Sequence, residues 1–504
     1  MEALTLKTSF ANLPLDLLPS ILEHLQKRGD LRRCLLVCQE WRAVAEPLLY
    51  RWIRLWGKDL ATLFRSLESS TRLCSLIQRL EVRVYPLSLI LKERLAMEAQ
   101  AVKVLRQCIN LKELLWTRKG ALTDSVFEAI TSLQRLRSFE FNAHTNLSPG
   151  SWSTSHLLEL PALRSISFIL PDREVTNTLP AFLQRQKELS ANDPSLVLED
   201  FTILCRESTL INDKILTACT PHLEHTGLRS LSLAGCAKLT GAPLTGLLPS
   251  LPSLRHLSLE ATAIHPSSFP SFAPHLTSLL SLKLTHPGPH HPALSTFFPS
   301  LAELLRETKR LEGFTLYHSG AAGTGTREWP VVDSSFVQEL VESVGAGLRK
   351  VEMSNVLTRV ADVEALAWGS PNLRDLVVHI GAELDAVSLE RLGLAFASLR
   401  SLKTLHFLSQ ADVSIGAVLE LATSASPTLR QIGFRNRVWH VQRSYNSPDS
   451  DIPKVSLARW DSPFWPEALL VVRFIETAEA FGAFRRGRYG AEEDAEPEVD
   501  SDEE

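Results

Sequence analysis

The sequence predicts an α/β chain: a small three-helix module at the N-terminus, then a curved solenoid with parallel strands inside and helices outside. Three observations predict it. The stretch NLPLDLLPSILEHL, from Asn12 to Leu25, places leucines at helical spacing and ends in a polar break. A short pattern with large apolar residues at positions 1, 4 and 6 recurs twelve times between Leu111 and Phe434. Apolar residues make up 44% of the 504, enough for a packed core and too many for general disorder.

The N-terminal module comes first. Asn12 can cap a helix, and Pro14 sits in the first turn, where its missing N–H costs nothing. Leu17, Leu18, Ile21, Leu22 and Leu25 follow at helical spacing. In the break QKRGD, Gly29 can end one helix and Asp30 can cap the next. That second helix puts Leu31, Cys34, Leu35, Cys38 and Trp41 near one face, and Pro47 starts a third apolar piece with Leu48, Leu49 and Ile53. Three short helices are too few for a large core, so their apolar faces are expected to lean on something else.

The repeats justify the solenoid. Clear copies are LRSLSLAGC at Leu228, LRHLSLEAT at Leu254, LLSLKLTHP at Leu279 and LRDLVVHIG at Leu373. Consecutive starts from Leu111 lie 25 to 37 residues apart, about 29 on average. Ile77, Leu80 and Val82 form a possible thirteenth copy. Such periods with one short strand per unit mean a solenoid. Positions 4 and 6 share a strand face and point into the core. Position 5 (Ser232, Ser258, Lys283, Thr315, His406, Gly433) is expected to face out. Helical returns are expected at SVFEAITSLQR, TFFPSLAELLRETKR, SSFVQELVESVGAG and ADVEALAWG. Prolines at joints such as LPSLPSLRHL turn each helix into the next strand. No unit buries both its faces alone, so stacking closes the core.

The expected domains are residues 8–55 for the helical module, 70–440 for the solenoid, 441–484 for a C-terminal cap and 485–504 for a disordered tail. The cap is rich in Trp, Arg and Pro; Arg435, Arg437, Trp439 and Arg443 could alternatively serve as contacts to a bound partner. Nine of the last thirteen residues are acidic, as in a solvated tail.

Net charge is −4, which gives no global pull toward nucleic acid or anionic membranes. No stretch of eighteen apolar residues appears, and Glu2 and Lys7 do not introduce a secretory h-region. Seven cysteines, odd in number and without a CxxC pair, point to reduced thiols in cytoplasm or nucleus. His286, His290 and His291 sit in a proline-held loop without a fixed fourth ligand, so neither metal nor cofactor is expected. GAAGTGTRE at Gly320 lacks the lysine of a phosphate loop, and neither GxSxG nor HExxH occurs. No catalytic constellation is evident.

Residues 12–53 resemble an F-box. The matching positions are Leu13-Pro14, Asp16-Leu17-Leu18, Ile21-Leu22, Leu25, Asp30-Leu31, Val37-Cys38, Trp41 and Leu48-Leu49-Tyr50. The family usually carries glutamate where Asp16 stands. The middle of the chain resembles leucine-rich repeats of the longer strand-and-helix kind, although only LSLAGCAKLT, with Cys236, approaches their cysteine-bearing form. Together the two resemble F-box proteins of the fungal type. The resemblance implies a non-catalytic receptor. Its F-box docks on the Skp-type adaptor, and through it a cullin, of an SCF-type cullin–RING ubiquitin ligase, while the repeats hold an unknown protein substrate. It implies adaptor binding by Leu13, Pro14, Leu17, Leu18, Ile21 and Leu22. The alternative for these residues is an intramolecular packing face, and for the chain a repeat scaffold whose first helices merely cap the solenoid.

Overall fold

The computed structural model describes residues 15–25, 28–55, 60–83, 91–147, 150–193, 196–287, 291–318, 329–381, 384–409, 411, 413–435, 437–444 and 453–459. They fall into two compact units: residues 1–166 with 188–196, and residues 167–187 with 197–504. The acidic tail, the glycine-rich segment at Gly320, and Leu13 and Pro14 lie outside the described residues.

The first unit opens with three α-helices: α1 (Leu18–Glu23), extended at its start by a 3-10 turn (Leu15–Leu17), α2 (Arg28–Cys34) and α3 (Gln39–Arg51). Their ends differ from the sequence expectation. Gly29 and Asp30 lie inside the first turn of α2 rather than between two helices. The break before α3 falls at Leu35–Cys38, where Cys38 is fully extended, and Pro47 sits inside α3. Proline's fixed φ is itself helical, so the ring forfeits one backbone bond without ending the helix.

α3 runs directly into β1 (Trp52–Leu55), so the sheet starts ahead of residue 70. β1 pairs in parallel with β2 (Arg79–Val82), then β3 (Glu113–Trp116) and β4 (Ser138–Asn142). The register stacks Ile53, Leu80, Leu114 and Phe139 in one row, with Val82, Trp116 and Phe141 in the next. The Phe139 and Phe141 rings stack at 4.4 Å, and Phe127 stacks on Trp152 at 4.6 Å. Phe127 comes from the helix Asp124–Thr131, which forms where the sequence placed one.

In the second unit the parallel strands run Asp200–Asn212, Ser230–Lys238, His256–Glu260, Ser281–Thr285, Gly313–Tyr317, Lys350–Leu357, Asp375–Ile380, Thr404–Ser409 and Gln431–Phe434. Helices Leu294–Glu307, Ser334–Val344 and Val360–Gly369 match the expected returns. All residues at positions 1, 4 and 6 of the thirteen copies are buried. One backbone device recurs. The carbonyl of position 2 accepts the N–H groups of positions 2 and 3 in the next copy, as Arg229 does from Arg255 and His256, and Arg374 from Lys403 and Thr404. The repeat is therefore written into main-chain bonds as well as apolar packing.

Position 5 departs from expectation. Ser232, Ser258, Thr315 and His406 are buried rather than solvent-facing. The register aligns Ser232, Ser258, Lys283, Thr315, Glu352, Val377, His406 and Gly433 in one row. Strands lie only about 4.8 Å apart, so each side chain in such a row is screened by its neighbours. These side chains lie on the face opposite positions 4 and 6, yet they are shielded there.

After Phe434 the sheet turns antiparallel, with Arg437–Ser444 and Lys454–Arg459. Val438, Trp439 and Val441 are buried. The Arg443 guanidinium donates to the carbonyls of Leu429 (2.5 Å), Ser426 (3.0 Å) and Ala422 (3.3 Å). Trp439 and Arg443 thus close the last repeat.

Candidate partner-docking site

The candidate site is the helical module. On a helix, successive residues are turned by about 100°. Leu17 and Ile21 therefore form one stripe, and Leu18 and Leu22 an adjacent one. The structure separates them. Leu18 and Leu22 are 1% and 2% exposed, whereas Leu17 and Ile21 are 50% and 38% exposed. Leu18 and Leu22 pack with Leu31, Cys34 and Ala45, and Leu25, Leu35, Trp41, Val44, Leu48 and Leu49 close round them. This small core uses one stripe and leaves the other in solvent.

Further apolar residues stay exposed beside that stripe in sequence and in the following turn. Leu15 precedes it, and Leu36 and Val37 stand out in the turn between α2 and α3. Leu36, which no motif position covers, is 86% exposed, the barest large apolar residue named in the module, and the motif residue Val37 is 59% exposed rather than part of the module core. An apolar residue next to a helix break was the available signal. Leu13 and Pro14, expected in the same contact, lie outside the described residues.

The module is tied to the helix Thr71–Leu76 and to the first strands. Glu46 of α3 accepts from Arg72 at 2.6 Å. The Trp52 indole donates to Glu81 at 2.8 Å, and the Arg54 and Arg79 guanidiniums lie 4.6 and 4.8 Å from its ring centroid. Glu81 is fully buried; burial alone would raise its pKa, but Arg83 and Arg54 outweigh it and hold the carboxyl below its ordinary value. α1, α2 and α3 are thus an integral end of their unit with an apolar stripe left over.

Among the described residues no group of His, Cys, Asp and Glu could hold a metal ion. His286 is buried 5.1 Å from the Phe297 ring, and His291 Nδ1 accepts from the Ala293 N–H at 3.2 Å; His290 lies outside the described residues. Cys34 is buried and Cys38, four residues on, is exposed; all seven thiols are free. No described helix is long and apolar enough to cross a membrane.

Residues 10–56 match the family model described as F-box-like. The chain therefore carries an F-box-like domain, followed by repeats with the strand-and-helix pattern of leucine-rich-repeat proteins. Two solved structures are similar to it. One is from the Rad7 and Elc1 complex of yeast, at 14% identity and a TM-score of 0.36, covering 77% of this chain and 95% of that one. The other is the leucine-rich repeat-containing protein LegL7 of Legionella pneumophila, at 13% identity and a TM-score of 0.34, covering 59% of this chain and 93% of that one. No curated protein matches the chain.

Proposed function

We propose that the chain is a non-catalytic, substrate-recognition subunit of an SCF-type cullin–RING ubiquitin ligase, working in cytoplasm or nucleus. The F-box-like domain docks on a Skp-type adaptor and the repeats hold a protein substrate. The observation that carries this reading is the coincidence of the F-box-like match with an unburied Leu17–Ile21 stripe, in a module where Leu15, Leu36 and Val37 are exposed as well. Apolar side chains exposed together on a small module mark a surface for a partner. The chain contributes proximity: it brings a substrate lysine toward a thioester held elsewhere in the assembly.

A second reading, a repeat scaffold with no ligase role, is favoured by the unbroken passage of α3 into β1 and by the Glu46–Arg72 pair. One experiment separates the two. The full chain is mixed with purified Skp-type adaptor and binding is read by calorimetry. Ile21→Asp should weaken binding at least a hundredfold, about 3 kcal/mol, because the carboxylate would enter an apolar contact. Its melting transition should not move, since Ile21 is outside the module core. Leu22→Ala should instead destabilise the module by about 2–5 kcal/mol through the cavity it leaves. No complex with the natural chain at micromolar concentration would remove the ligase reading and leave the scaffold.

A further inference from the structure

The leading ends of the strands in the second unit carry a groove of cations. Position 2 of the repeat supplies Arg349, Arg374 and Lys403, each immediately before one of three successive strands. The turns before the strands add Arg310 and Arg400, and Glu312 is the single acid of the lining. The groove encloses about 660 Å³. Glu312 is spent on Arg349 at 3.5 Å. Among the described residues, Arg310, Arg400 and Lys403 have no carboxylate within 4.0 Å. Cations at the entries of strands about 4.8 Å apart repel one another, and an anionic occupant relieves that repulsion.

The chain as a whole is not basic: 57 acids outnumber 53 lysines and arginines. Its densest acidity is the segment 492–504, with nine carboxylates in thirteen residues. Even with Arg485, Arg486 and Arg488 just before it, acids outnumber cations there by six. The described chain ends at Arg459, on a strand three places from Thr404–Ser409 in the sheet order. That is about 14 Å at ordinary strand spacing. The 32 residues 460–491 lie between Arg459 and the acidic segment. Fully extended they span on the order of 100 Å, so reach imposes no limit. Tethering also holds the segment at an effective concentration of about a millimolar, enough to fill a modest site.

We propose that the acidic segment 492–504 seats in this basic groove of its own chain, so that any acidic partner of the groove must displace it. This stands independently of the adaptor reading. The test uses a fluorescent peptide of residues 492–504 and three full-length proteins. These are the natural chain, a neutral-tail chain in which the nine tail acids become Gln or Asn, and the neutral-tail chain with Arg374→Glu and Arg400→Glu. At 50 mM salt the neutral-tail chain should bind the peptide at least tenfold more tightly than the natural chain, whose groove is already filled. Raising salt to 300 mM should weaken binding at least tenfold, and the double charge reversal should do the same with an unchanged melting transition. If that reversal disturbs folding, Arg374→Gln with Arg400→Gln replaces it. Equal binding by natural and neutral-tail chains overturns the proposal, since the groove would then be open to outside peptides only. Binding that survives the groove substitutions, or no binding at all, overturns it too.

Discussion

His406 is governed by its neighbours more than by its residue type. It sits in the row expected to face solvent, yet it is fully buried. Its Nε2 receives the Gln431 Nε2 donor at 2.8 Å, a role open only to the neutral ring. Burial pushes His406 down to about 3 and His379 down to about 4. Burial, and secondly the charge of His318, pushes His286 down to about 4. In the unfolded chain each regains a pKa of about 6.5. A depressed folded value means the stability is complete above the unfolded pKa and is lost as pH falls toward the folded one. At pH 5 each histidine should cost about 2 kcal/mol relative to neutral pH. Glu352, raised by burial against the opposing Lys350, works in the other direction, with stability present at low pH and lost as pH rises through its folded value. It is one group against these three and His256, which burial also lowers. The urea midpoint should therefore drop clearly between pH 7.5 and pH 5.0, and His379→Gln with His406→Gln should shrink the drop. A natural chain equally stable at both values would refute this. At this scale the exposed stripe of the module was only half legible in the sequence. Leu17/Ile21 and Leu18/Leu22 are both apolar pairs four apart, so spacing alone does not say which one the module core claims.

The repeat unit was far more legible, because its apolar positions have a strict spacing that thirteen copies share. What spacing does not encode is how strands cross and bend. Asp200–Asn212 and Ser230–Lys238 pair in parallel with register shifts between Leu204 and Asn212. Gly235 sits within that irregular stretch at φ +69°, and a Cβ there would lie 2.0 Å from the Cys205 carbonyl oxygen. Gly235→Ala meets both a left-handed backbone and a main-chain clash, so it should destabilise the second unit by more than about 1–2 kcal/mol. Gly246 is the matched control. It lies exposed in the helix Ala242–Leu247, with nothing within 4 Å of an added Cβ. Gly246→Ala should stabilise by about 0.5–1 kcal/mol through helix propensity. Melting of the two variants in opposite directions is the expected outcome; a shared direction would contradict the backbone argument. β1 escaped notice for a related reason. WIRL is too short to show a period, and its strand character comes from pairing with Arg79–Val82.

For the whole molecule the question is how a stack of dependent units is closed. In a repeat array each unit draws stability from its neighbours, and an unfinished end exposes both core and strand edge. At the C-terminal end of the second unit the antiparallel strand Arg437–Ser444 covers Gln431–Phe434, and Arg443 is its anchor. Its guanidinium reaches Ala422 in the last turn of the helix Ile415–Ser424, Ser426 just beyond that helix, and Leu429 just before the last parallel strand. A cation there meets carbonyls left without helical partners and the negative end of the helix dipole. Arg443→Ala leaves those carbonyls without that donor and should cost about 1.5–3 kcal/mol. Arg443→Lys should recover only part of this, since one ammonium does not reproduce the fork that spans three acceptors. The location of the loss is the sharper test. Nearest-neighbour coupling predicts that amide exchange in Arg443→Ala speeds up first in Gln431–Phe434 and then in Thr404–Ser409, while Ser230–Lys238 keeps its natural protection. A uniform rise across all these strands would mean that the unit unfolds as a single block and that Arg443 is not an end-specific clamp. No change anywhere would mean that the buried Trp439 and Val441 hold the end without it.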